Sequence, residues 1–511
     1  MKNYLKKLTL VTLSVLAIGC SSDDVEVTQD NPADVSALEP ENEISDFVWK
    51  AMNNWYFWQS SVNSLADTRD DDREAYVNYL NGFSSPESLF NSLKFGADDF
   101  SWYIDDIDTQ LNAFRGITTS YGIEISTLVR YNDGIYAIVA YTVPGSPAAD
   151  AGISRGDLIY KVDGEVMNDS NYRIINKLFQ QQTISLGLGT IENGAFTAKP
   201  EDVTISSIQL SENPVHYSSV IEEAGKKIGY LVYNGFRGTY HSELNAVFGE
   251  FKAAGIDELI LDLRYNGGGS VLTSALLGSM IDGSQPALQS NAIFADLRYN
   301  EKRNPENGLE FPFFDEVYLY DKITGSYLEG QEEPMNRLDN LSRLIVLTTS
   351  RTASASELII NGLRGVGMEV VTVGDKTTGK NEASITLVDA PDTNPEEAWT
   401  DVENRNPGHN VGLQPIVSRT FNGQGQSNYG DGFPPDVEFL EYSNLEGIKP
   451  FGDPNDQQLR TALNYITGLS AKSAALDSGT AAFKVATPQE RPFQKEMYIL
   501  PGELTPFKNL K

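Results

Sequence analysis

The sequence predicts a multidomain α/β protein: a small N-terminal helical unit, a β-rich unit, and an α/β core. Three observations carry this. Apolar positions recur at helical spacing from Ile44 to Trp58, short strands with turn chemistry begin near Tyr121, and apolar strands alternate with helical stretches from about residue 215. At 511 residues the chain has room for about three domains of ~150 residues, each able to bury a core.

At the N-terminus, Lys2, Lys6 and Lys7 precede the apolar run 8–18, the pattern of a secretory signal too short to be a permanent membrane span. The run ends at Ala17-Ile18-Gly19-Cys20, which resembles a bacterial lipobox, although leucine is commoner than Ala17 at that position. Cys20 is the single cysteine, so no intrachain disulfide forms, and its place directly after a signal points to lipidation rather than to a buried thiol. The expectation is an exported lipoprotein in the periplasm or on the cell surface, anchored by acylated Cys20 and touching a membrane only through that anchor. Ser21-Ser22-Asp23-Asp24 resembles the export signals of surface lipoproteins in some Gram-negative bacteria, which favours the outer membrane. The net charge of −32, from 71 acidic against 39 basic residues, argues against nucleic acid or an anionic membrane surface as partner.

The remaining boundaries follow composition and period. Residues 1–20 are the signal, and 21–40 form a polar, acidic tether. Residues 41–107 form the helical domain, in which Phe47, Val48, Ala51, Met52, Trp55 and Trp58 share one face; such a stripe is more often core than a binding groove. Residues 108–212 are the β-rich domain, with turn residues Asn132-Asp133-Gly134 between two strands. Residues 213–470 alternate strand and helix, with a polar, Pro/Gly-rich insertion around 300–340 and a closing helix over 453–466. Residues 471–511 are small, polar and proline-containing, without an assigned role.

Chemistry concentrates at strand ends. Thr352-Ala353-Ser354-Ala355-Ser356-Glu357 lies between an apolar strand, 344–349, and a helical stretch, 358–363. A serine on such a turn presents its hydroxyl outward, while the following N–H groups point into the same space. A serine hydroxyl is a weak nucleophile, so a base must take its proton, and a lysine can do so only when neutral. Thr377-Thr378-Gly379-Lys380 follows a second strand, and the strand at 258–262 leads to Asn266-Gly267-Gly268-Gly269. That glycine run lacks the Gly-Lys-Ser/Thr ending of a phosphate loop. His216, His241 and His409 stand in no triad or zinc-ligand spacing, and no metal or cofactor is expected.

Together these segments resemble the C-terminal processing peptidases, the S41 serine proteases that use a Ser/Lys dyad. The resemblance runs over about 44–468 and implies a ClpP/crotonase-like protease core. It also implies Ser354 as nucleophile and Lys380, 26 residues on, as base. Ala355 and Gly268 would supply the oxyanion donors, with the neighbouring glycines left open. Ser356 would cap or pack, and Lys376 lacks the preceding glycine. Many members carry glutamine four residues after the lysine; here Ser384 stands there, a possible third member through a hydrogen bond to the Lys380 amine, while a nearby Glu382 would weaken the base. Gly432-Phe433-Pro434-Pro435-Asp436 matches a late element of the family.

The stretch 144–164 resembles the PDZ domain found in these proteases, with Tyr121, Gly122 and Ile123 as the loop that captures a terminal carboxylate and the peptide added as a strand. The implied protein is an endopeptidase acting on polypeptides. Two rivals stay open: a catalytically silent peptide-binding surface lipoprotein, for which Ser384 speaks, and a Ser/His hydrolase using His241, as in the tricorn-like branch.

Overall fold

The structure is a computed structural model describing residues 38–283, 292–390, 399–469, 482–487, 489, 494–500 and 502–504. The signal, Cys20 and most of the tether lie outside the described residues. No helix among the described residues is long and apolar enough to cross a membrane.

The helical unit contains α1 (Glu43–Trp55), α2 (Arg73–Asn81) and α3 (Pro86–Leu93), each opened by a side-chain cap from Asn42, Asp72 or Ser85. Helix α1 buries Phe47, Val48, Trp49, Ala51, Met52 and Trp55. These side chains share one core with Leu261, Leu276 and Leu358 of the downstream α/β unit, so the tryptophan stripe is packing and the unit has no separate core.

The β-rich unit is built on the hairpin β1 (Ile123–Tyr131) and β2 (Gly134–Thr142), turned through Asn132 at φ 51°. It continues through β3 (Leu158–Val162), β4 (Thr183–Glu192) and β5 (Ala195–Ala198). This sheet has its own core, including Ile125, Ala137, Ile159, Leu186 and Ile205.

The α/β core holds two sheets. Strands β6 (Val215–Glu223), β7 (Lys226–Tyr233), β8 (Glu258–Asp262), β12 (Arg343–Thr348), β13 (Glu369–Gly374) and β16 (Val437–Glu438) lie side by side in that order. All neighbours from β7 onward are parallel. Such strands are buried on both faces and read as continuous apolar runs, as β8 and β12 do. Helices α4 (His241–Ala254), α5 (Val271–Ile281), α6 (Ala355–Gly365) and α7 (Gln457–Thr467) cover the faces.

The second sheet runs β9 (Gly269–Ser270), β18 (Met497–Ile499), β14 (Glu382–Ile385), β15 (Ile416–Phe421), β10 (Ile293–Tyr299), β11 (Leu309–Pro312). The polar 300–340 stretch still buries Phe311, Phe314, Val317 and Tyr320 in the main core, which composition conceals. The C-terminal region supplies β18 and also β17 (Phe483–Ala486), which pairs with β1 at the edge of the β-rich sheet.

A buried ionic cluster joins the β-rich unit to the core. Arg264 Nη1 lies 3.0 Å from both Glu441 and Asp456, and its Nη2 is 2.6 Å from Asp262. Arg155, just before β3, meets the same Glu441 at 2.5 Å and Asp456 at 3.2 Å. Charges this deep persist only when paired, because each pays a desolvation penalty of several kcal/mol.

Candidate active site

Three chain turns meet at the carboxyl ends of adjacent parallel strands β8, β12 and β13, where ligands of open α/β sheets bind. The glycine turn follows β8, the Ser354 turn follows β12, and the Lys380 loop follows β13. They are laced together. Thr352 Oγ1 donates to the Leu263 carbonyl at 2.8 Å, Ser356 Oγ donates to the Asn266 carbonyl at 3.0 Å, and the Thr378 N–H donates to the Thr352 carbonyl at 2.9 Å. Ser356 thus holds the glycine turn. Phe433, in the late Gly-Phe-Pro-Pro-Asp element, accepts from the Thr377 N–H and donates to its hydroxyl, bracing the lysine loop.

One carboxylate ties two of the turns. Glu357 Oε2 accepts from the Ser354 N–H and the Lys380 N–H, both at 2.9 Å; Oε1 accepts from the Gly379 N–H at 2.7 Å and the Thr377 hydroxyl at 2.5 Å. Burial pushes its carboxyl up to about 7 even though the four donors favour the ionised form. Glu357 sits at the third position of α6, where an acidic side chain reaching back to the turn is a known capping pattern. That signal was present in the sequence.

Ser354 has φ 64° and ψ −119°, a strained conformation for a residue with a Cβ, and the surroundings hold it there. Its side chain is fully buried, and its hydroxyl has no hydrogen-bond partner among the described residues. The Lys380 side chain is also fully buried, with Nζ 4.8 Å from the centre of the Phe100 ring. Gly379 before it has φ 97°, and a Cβ there would collide with the Gly430 carbonyl.

The Lys380 amine does not meet Ser354 Oγ. It donates to the Lys495 carbonyl at 2.8 Å and lies 3.4 Å from the Glu496 carboxylate, both on the C-terminal segment. Ser384 is likewise not on the amine. Its hydroxyl donates to the Met497 carbonyl at 3.2 Å and accepts from Gln414 Nε2 at 3.0 Å, on a strand whose pairing with β15 is irregular between Ala383 and Ser384. Glu382 lies 3.2 Å from Arg419 rather than in contact with the amine.

The Gly268 N–H turns into its own loop, donating to Asn266 Oδ1 at 2.9 Å, because an asparagine readily satisfies the N–H two residues on. It is the Gly269 N–H that meets a carbonyl, that of Glu496. A Cβ built on Gly268 would lie 2.7 Å from Ser354 Cβ and 3.0 Å from Ala355 N, so the glycine turn and the first helical N–H converge beside the serine.

His241 is held elsewhere: Nδ1 is 2.7 Å from the Tyr318 carbonyl and Nε2 is 2.7 Å from Thr273 Oγ1, and burial lowers its pKa to about 4. In the β-rich unit, Tyr121 packs in the core with its hydroxyl on the Gln181 carbonyl at 2.6 Å. Gly122 and Ile123 lead from there into β1, with the Gly122 carbonyl accepting from the Val143 N–H. Next to Ile123, Glu124 pairs with Arg351, three residues before Ser354, and accepts from Gln494 Nε2 at 2.9 Å.

Comparisons with known proteins bear on this arrangement. The family model "Peptidase family S41" matches residues 227–439, "Peptidase S41 N-terminal domain" matches 43–102, and "PDZ domain" matches 138–174. A carboxyl-terminal-processing protease of Picosynechococcus is 27% identical over 287 residues, 54% of this chain and 60% of that protein. One from Synechocystis is 23% identical over 348 residues, 66% of this chain and 68% of its own length. The chain therefore spans about three-fifths of the first of these relatives. Among solved structures, an S41 protease from Bacteroides fragilis superposes with a TM-score of 0.63 at 28% identity, covering 85% of this chain and 99% of that one.

Two outcomes test the geometry. Glu357→Ala strands three buried N–H groups and a hydroxyl, each costing about 1–3 kcal/mol. It should lower the thermal midpoint and slow reaction of Ser354 with a serine-directed probe; a variant as stable and reactive as the parent would refute the bracing role. The second outcome concerns the C-terminal segment. Burial raises Glu496 to about 8, opposed by Lys380, and Glu503 to about 7, opposed by its hydrogen bond from Ser270. In water both would titrate near the ordinary 4.5, so a carboxyl with a raised pKa stabilises docking fully below that value and loses the contribution progressively as pH rises from about 4.5 to the docked values of about 7 and 8. Limited proteolysis within 494–500 should accelerate as pH rises from about 4.5 to 8 and level off above that, and Glu496→Gln should flatten the profile; a pH-independent rate in the parent would contradict this. The agreement of layered fold, converging turns and three successive family matches places the chain in peptidase family S41, a family of serine-type peptidases, with a PDZ domain between its N-terminal and protease units.

Proposed function

We propose that the chain is an endopeptidase in which Ser354 is the nucleophile and Lys380 the general base. The observation that carries the reading is that a strained serine with an unpartnered hydroxyl and a fully buried lysine hang from the same Glu357 carboxylate. In this reading Ser354 Oγ attacks a peptide carbonyl, and its proton passes to the uncharged Lys380 amine once that amine is free of the C-terminal segment. The Ala355 N–H and a glycine-turn N–H, Gly268 or Gly269, hold the developing oxyanion, and the amine returns the proton to the leaving nitrogen. Water then hydrolyses the acyl-enzyme by the reverse proton path. Both ring nitrogens of His241 are engaged away from Ser354, which favours lysine over histidine as the base.

The same reading gives the PDZ domain the capture of a polypeptide C-terminus along β1, with Tyr121, Gly122 and Ile123 at the loop where that strand begins. Relatives named as carboxyl-terminal-processing proteases support this substrate class. Acylation of Cys20 would hold the enzyme on the outer membrane, facing the periplasm or the cell surface.

Ser354→Ala and Lys380→Ala should each lower peptide cleavage by roughly 10⁴-fold or more with the chain still folded; cleavage retained by purified Ser354→Ala protein would rule out this nucleophile. For the anchor, Cys20→Ser should abolish incorporation of labelled fatty acid and move the protein to the soluble fraction, and unchanged labelling would rule out Cys20.

A further inference from the structure

The C-terminal segment lies on both surfaces that a peptide would use. Strand β17 adds to the outer edge of β1 in antiparallel register, Phe483 opposite Arg130 and Ala486 opposite Leu128, and Thr127 Oγ1 donates to the Ala486 carbonyl at 3.1 Å. It therefore runs toward the Tyr121–Ile123 loop, the polarity of a peptide whose C-terminal end approaches that loop. Val485 and Ala486 rest on the core of the β-rich unit. Residues 494–499 then enter the cleft.

There β18 is wedged between two short strands, parallel to both, Met497 opposite Gly269 and Tyr498 opposite Gly269's neighbour Ser270 on one side and Ser384 on the other. The glycine turn lacks side chains where this segment passes. A Cβ on Gly267 would strike the Gln494 carbonyl, and one on Gly268 would strike the Glu496 carbonyl. This is the close backbone approach that a substrate carbonyl would need. The Lys380 amine, left without Ser354, is taken by the Lys495 carbonyl and Glu496.

We propose that residues 482–487 and 494–500 are an intramolecular ligand: the first stretch fills the PDZ-domain strand edge and the second the Ser354 cleft, each in the pose of a peptide, so an incoming polypeptide binds only as they leave. The proposal rests on the peptidase reading above. A tethered segment competes at an effective concentration of order millimolar, so it need make only modest contacts to hold the cleft against dilute peptide. Ionisation of Glu496, which faces Lys380, with Arg237, Glu124 and Tyr498 lining the same cleft, and of Glu503 beside Ser270, Tyr320 and Tyr498, loosens the segment.

The test uses the full chain with Met497→Asp, which sets a charge where β18 is buried between β9 and β14. Protease sensitivity of 494–500 checks that the segment is displaced, and the thermal midpoint checks that the core stays folded. In a Ser354→Ala background, a fluorescein-labelled synthetic peptide of residues 482–500 should bind the Met497→Asp protein at least about tenfold more tightly than the unmodified segment allows. Equal affinity with the segment displaced overturns the proposal. With Ser354 present, the displaced variant should cleave a model peptide at about a tenfold lower half-saturating concentration. Peptide binding without cleavage would sink the peptidase reading and leave the ligand proposal standing. Should Met497→Asp fail to fold, hydrogen exchange in unaltered Ser354→Ala protein decides: saturating synthetic peptide should speed exchange at 494–499, and protection unchanged while peptide is bound overturns the proposal.

Discussion

The site depends on one buried carboxylate. Glu357 accepts four hydrogen bonds from two chain segments that are far apart in sequence, and so sets the distance between the Ser354 turn and the Lys380 loop. The strained backbone at Ser354 is tolerable because its N–H is fixed by that carboxylate while Ser356 and Thr352 anchor the same turn to the glycine loop. The Ser354 turn, the glycine turn and the Lys380 loop are thus cross-tied by hydrogen bonds from their own residues.

A second constraint is electrostatic and links domains. Arg264, two residues before Asn266, and Arg155 from the PDZ region share Glu441 and Asp456. The glycine turn is thus mounted on the same ionic cluster that docks the PDZ domain against the core. Arg351, bonded to the Ile125 carbonyl and Glu124, makes a second bridge from the Ser354 turn to the very strand that β17 extends. Occupation of the PDZ edge and arrangement of the cleft are therefore mechanically adjacent, with β17 at the one and residues 494–499 at the other.

The serine and the lysine are not hydrogen-bonded to each other; the C-terminal segment lies against the amine. The amine donates to the Lys495 carbonyl and lies 3.4 Å from the Glu496 carboxylate, both on that segment.

Local pattern made much of the molecule legible. Continuous apolar runs marked β8, β12 and β13, because strands buried on both faces carry no polar alternation, and the turns after them held the chemistry-bearing residues Gly268, Ser354 and Lys380. Glu357 was legible as a helix-start residue but not as the brace of the lysine loop, since its partners Gly379 and Lys380 lie beyond an intervening helix and strand. The placement of Ser384 depended on a pairing irregularity that no spacing reveals. Least legible were Lys495 and Glu496, which follow a long stretch of small and polar residues and acquire meaning only where β18 joins a sheet. By itself the sequence determined the local elements, the order of domains and the residue types able to do acyl-transfer chemistry, because these rest on short-range periodicity and turn stereochemistry. Only the tertiary structure decided which groups touch the lysine amine and what lies in the cleft, because those contacts join residues more than a hundred positions apart and are set by packing and desolvation.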